Sequence, residues 1–89
     1  MRVYQFLIKG SDCRVVEDGA ETVMGFYTTR FVQGEQQEDA ARIAVQLVRD
    51  ELDEMILNPL DAEIVIEEAY TTSSSKAVRG FTWFLQQSK

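Results

Sequence analysis

The sequence predicts an α+β domain of order β-β-α-β-β: a single, mainly antiparallel four-stranded sheet with one long amphipathic helix on one face. Three observations lead there. Apolar residues alternate with period two in segments at both ends of the chain. One central segment repeats them at helical spacing instead. And 89 residues suffice for one modest core, burying about 64% of the extended chain's surface. Residues 1–89 are therefore read as a single α+β domain.

In the first segment, Arg2 to Lys9, Tyr4, Phe6 and Ile8 fall on one face and Val3, Gln5 and Leu7 on the other. The first face is strongly apolar, as in a half-buried strand. Gly10-Ser11-Asp12 is expected to end it, leaving Cys13 to Glu17 as a short edge strand at most. Asp18-Gly19 is a turn signal. Thr22 to Gln33 reads as the longest strand, dense in β-branched and aromatic residues. Both its faces carry bulk, Phe26 and Val32 against Tyr27 and Phe31, and Gly25 hints at a bulge or close approach.

Glu35 to Leu57 reads as the helix, packing through Ala44, Leu47, Val48 and Leu52. Glu35, Glu38 and Asp39 suit the positive end of its dipole, Glu38 and Arg42 are spaced for an ion pair, and Asn58-Pro59 stops it. Ala62 to Thr71 alternates again, with Ala62, Ile64, Ile66 and Tyr70 in phase. The polar run Thr71 to Ser75 is short enough for a hairpin to the last strand, Arg79 to Gln86, where Phe81, Trp83 and Leu85 oppose Thr82 and Phe84. A right-handed crossover through the helix could pair the second and third strands in parallel.

Composition excludes whole classes of chemistry. Histidine is absent and cysteine occurs once. That removes catalytic triads, Cys-His pairs, imidazole metal ligands and any internal disulfide. The glycines form no phosphate-binding loop. The expectation is accordingly no catalytic, cofactor-binding or metal-binding residue, and no enzymatic activity. Net charge is −6 and unevenly placed. Residues 1–33 balance, 34–68 carry a net −9 and 69–89 a net +3. An acidic middle repels phosphate, so nucleic acid is not an expected partner. No stretch is long and apolar enough to span a bilayer. A lone cysteine, an initial methionine and no signal-peptide pattern lead to the expectation of a complete cytoplasmic chain.

Two surfaces stand out. Phe26, Tyr27, Arg30, Phe31, Trp83 and Phe84 form a candidate interaction surface, since one helix covers only one face of a sheet that carries bulk on both. Asp50, Glu51, Asp53 and Glu54 form a candidate acidic docking patch. They lie near the helix C-terminus, where acids oppose the dipole and call for a cationic neighbour, either in this chain (Lys76, Arg79 or Lys89) or in a basic partner. Arg30 is also placed to pair with Glu51 at the core boundary. The expected role is protein–protein contact as a homodimer. The alternatives are a ligand or catalytic pocket formed between subunits, and an antitoxin- or immunity-type neutraliser of a basic protein.

Overall fold

The computed structural model describes residues 2–73 and 80–86. The elements are β1 (Arg2–Glu17), β2 (Ala20–Gly34), α1 (Gln37–Leu52), β3 (Glu63–Thr72) and β4 (Thr82–Leu85). They form one antiparallel sheet of order β3-β1-β2-β4, with α1 packed on one face, as the alternation implies. No helix among the described residues is long and apolar enough to cross a membrane.

β1 and β2 make a long hairpin. Asp18 and Gly19 both take positive φ, 52° and 79°, the pairing that a two-residue type I′ turn requires. Gly10-Ser11-Asp12 does not end the first strand. Gly10 pairs with Phe26 and Cys13 with Met24, so Ser11 and Asp12 together oppose Gly25. This is a β-bulge with Asp12 at φ 59°. The extra residue reverses the phase beyond it: Cys13 becomes fully buried and Val15 packs on the core. Two amides hold the bulge. The Asp12 N–H donates to Gln86 Oε1 (2.8 Å) and Gln86 Nε2 donates to Asp12 Oδ1 (2.8 Å). Asn58 Nδ2 donates to the Asp12 carbonyl (2.9 Å), and the Arg14 N–H donates to Asn58 Oδ1 (2.8 Å).

The core lies between the sheet and α1, with Tyr4, Phe6, Ile8, Phe26 and Val32 meeting Ala40, Ala44, Val48 and Leu52. Leu47, expected in this contact, is 46% exposed. The buried stripe advances in steps of four and is centred between Ala44 and Val48, which leaves Leu47 on the flank. The helix also ends at Leu52 rather than Leu57. The chain turns there so that Ile56 enters the core and the Leu57 N–H reaches the Arg14 carbonyl. Asn58 is thus freed from helix-stopping duty to grip the bulge. Arg42 pairs with Asp39 rather than Glu38.

β3 runs antiparallel beside β1, not parallel beside β2. Ile66 pairs with Ile8 and Glu68 with Leu7, so Glu67 is a second bulge residue. It moves Tyr70 to the face opposite Ile64 and Ile66, and Ala69 takes the place on the core side. β3 and β4 occupy opposite edges of the sheet, which rules out a hairpin between them. Leu85 is 68% exposed although it is in phase with Trp83; it is the last residue of β4, an outer strand of the sheet. Arg79 and residues 74–78 of the expected connection and strand lie outside the described residues.

Gly10 and Gly25 each face the ring of a phenylalanine on the neighbouring strand. A Cβ on Gly10 would stand 1.8 Å from the Phe26 ring, and one on Gly25 2.3 Å from Phe84. The absent side chains let both rings lie across the backbone. Gly10→Ala is expected to cost about 1–3 kcal/mol, because the buried Phe26 ring has nowhere to go. A urea melt unchanged from wild type would contradict this packing.

Candidate interaction surface

The residues singled out from the sequence divide between the two faces of the sheet. Phe26 and Arg30 are buried under α1, at 0% and 5% exposure, and are not surface residues. Trp83 joins them on that side, its ring 5.4 Å from Phe26 and edge-on. Tyr27, Phe31 and Phe84 lie on the other face. Strict alternation along β2 separates Phe26 from Tyr27 and Arg30 from Phe31.

Arg30 forms the pair with Glu51 that its phase suggested. Nη1 donates to Glu51 Oε2 (2.5 Å) and Nη2 to Oε1 (3.2 Å). Nε donates to Thr28 Oγ1 (3.0 Å), whose hydroxyl donates to the Gly80 carbonyl (2.7 Å). The guanidinium also lies over the Phe81 ring, 5.2 Å from its centroid. One arginine thereby ties together β2, α1 and the approach to β4, and the fork geometry serves internal cohesion. Glu51 is consumed by this pair and so leaves the proposed acidic patch. Asp50 accepts from Gln46 (2.8 Å), and Asp53 and Glu54 remain exposed beyond the helix end. The dipole is met locally by Arg49, whose Nη1 donates to the carbonyls of Pro59 and Ala62. Lys76, Arg79 and Lys89, the expected neutralisers, lie outside the described residues.

Cys13 is buried. Burial first, and the charge of Asp12 second, push its thiol above the ordinary value, the reverse of what a thiolate nucleophile needs. Among the described residues no group of three Cys, Asp or Glu side chains is arranged to hold a metal.

The second sheet face is a continuous surface built from alternate residues of all four strands. Its centre is Leu7 on β1, flanked by Glu68 on β3 and Thr29 on β2. One row on, Val65, Lys9, Tyr27 and Thr82 align; on the other side, Tyr70, Gln5 and Phe31 do. Tyr27, Val65 and Tyr70 are 38%, 42% and 52% exposed, and Val3, Leu7, Phe31 and Phe84 are half-buried. The aromatic groups are ordered by their neighbours. Tyr27 packs on Phe84 at 5.6 Å, Lys9 Nζ lies 5.8 Å above the Tyr27 ring, and the Tyr70 hydroxyl donates to Glu68 Oε2. That hydrogen bond, with burial and the carboxylate charge adding less, raises the Tyr70 phenol above its ordinary value. A shallow depression of about 370 Å³, lined in part by Leu7 and Tyr27, opens where β4 leaves β2.

Sequence reasoning missed Val3, Leu7, Lys9, Val65, Glu68 and Tyr70 as members of this face. Val3 and Leu7 were legible as the weaker side of the first strand. Glu68 and Tyr70 were not, because the bulge at Glu67 sets their side. No family model, curated protein or solved structure matches the chain.

Proposed function

We propose that the protein is a non-catalytic interaction module that works as a homodimer, two copies stacking through the sheet face centred on Leu7. The observation that carries this reading is the set of large side chains left open there: Tyr27, Val65 and Tyr70 exposed, with Leu7, Phe31 and Phe84 half-buried on the same face. Tyr27, Phe31, Val65 and Tyr70 take the diagonal places around Leu7, and Thr29, Gln5, Lys9 and Glu68 the direct ones, the mixed polar and apolar composition that non-obligate interfaces show. β3, β1 and β2, about 4.8 Å apart over about nine residues of about 3.3 Å, with the four residues of β4 beside them, give a flat footprint of about 490 Å². Side-chain relief raises that toward the roughly 800 Å² per partner of a standard stable interface.

A sheet edge is the weaker route to the same dimer. β3, an outer strand, carries the bulge at Glu67 and the acids Glu63, Glu67 and Glu68. Pairing it with a second β3 would bring acids together on a bent edge, a known protection against such pairing. A reducing, cytoplasmic setting fits the single buried cysteine. Sedimentation equilibrium across the micromolar range is expected to give twice the chain mass, falling on dilution. The chain mass alone at high micromolar concentration would overturn the reading.

A further inference from the structure

We propose that the two copies stack with their strands crossed at a steep angle, on a two-fold axis running diagonally across the face, so that Lys9 of each copy pairs with Glu68 of the other. This rests on the homodimer reading above and adds its register.

Lys9 and Glu68 are the charged groups nearest Leu7. Lys9 is two residues along β1, and Glu68 is one strand away on β3. Within one chain they do not pair: the ion pairs among the described residues are Arg14–Glu21, Arg30–Glu51 and Arg42–Asp39. Lys9 rests on Tyr27, and Glu68 accepts from Tyr70. Each is oriented by an aromatic neighbour, and among the described residues neither meets an opposite charge. A stacked face removes both from water, which is costly for each unless an opposite charge meets it.

The choice of two-fold axis decides whether that happens. An axis along β1 sets Lys9 against Lys9 of the second copy. One between β1 and β2 sets Lys9 on Tyr27 of the second copy and leaves Glu68 without a cation. An axis across the strands at Leu7 sets Glu68 against Glu68 of the second copy; half a row lower, Lys9 meets Leu7 and Glu68 meets Val65. A diagonal axis passing close to Leu7 exchanges the Lys9 and Glu68 positions between copies. The same operation lays Tyr70 on the Tyr27–Phe84 pair of the second copy, so the rings and the charges are matched together. The resulting angle belongs to the orthogonal class of sheet packing.

The test is a charge swap read by sedimentation, with circular dichroism as the fold control. Lys9→Glu and Glu68→Lys are each expected to weaken the homodimer by at least about tenfold, since each sets like charges together. Mixing the two variants is expected to give a heterodimer near wild-type affinity, because every contact in it then joins an acid to a base. The double variant is expected to recover the homodimer. If the wild type dimerises but the single variants match it, or their mixture is no tighter than either alone, the crossed register is overturned and the dimer stands. A monomeric wild type would overturn the dimer and the register together.

Discussion

Phe26→Ala is expected to destabilise the protein by about 3–5 kcal/mol, the usual range for a fully buried aromatic. Phe26 is 0% exposed. Phe81 and Trp83 meet it edge-on at 4.9 and 5.4 Å, a preferred geometry for aromatic pairs. Its ring also fills the space over Gly10. Truncation leaves a hole that Gly10 has no side chain to fill, and it removes the surface on which the approach to β4 is seated. A shift of the urea midpoint worth less than about 1 kcal/mol would mean that the centre of the core lies elsewhere.

Glu51→Ala is expected to cost about 3 kcal/mol, the lower end of the range for stripping one partner from a buried ion pair. The asymmetry sets the size. The Arg30 side chain is 6% exposed while that of Glu51 is 35% exposed. Removing Glu51 therefore strands a buried guanidinium with Thr28 as its remaining hydrogen-bond partner among the described residues, and water entering from the Glu51 side recovers part of the loss. Arg30→Met takes away the charge that needs a partner and keeps the side-chain stem. It is expected to cost less than Glu51→Ala, although Thr28 then loses a donor. Thermal melts of the two variants side by side decide this; the reverse order would show that Arg30 is satisfied by other groups.

Much of this architecture follows from local pattern. Tyr4, Phe6 and Ile8 mark the core face of β1, Asp18-Gly19 marks the hairpin, and the steps of four from Ala40 to Leu52 mark the helix. The departures occur where one residue changes phase. Asp12 and Glu67 each add a residue to one strand of a pair, and everything beyond changes sides: Cys13 goes inward and Tyr70 outward. Nothing in the local alternation signals that, because a bulge is defined by the neighbouring strand. Strand order was hidden for the same reason, since placing β3 beside β1 depends on contacts between distant parts of the chain. The candidate surface was legible by half. Tyr27, Phe31 and Phe84 were found with Phe26, Arg30 and Trp83 attached, because bulk on both faces was visible but the face under the helix was not.

The most direct test of the open face as the working surface is Leu7→Asp, measured by sedimentation equilibrium beside the wild type at one high micromolar concentration. Leu7 sits at the centre of the face and outside the core beneath α1, so the variant is expected to keep the wild-type circular dichroism spectrum. It is expected to sediment as a single chain where the wild type sediments as two. A folded Leu7→Asp variant that still dimerises with wild-type affinity would contradict the assignment of the interface to this face.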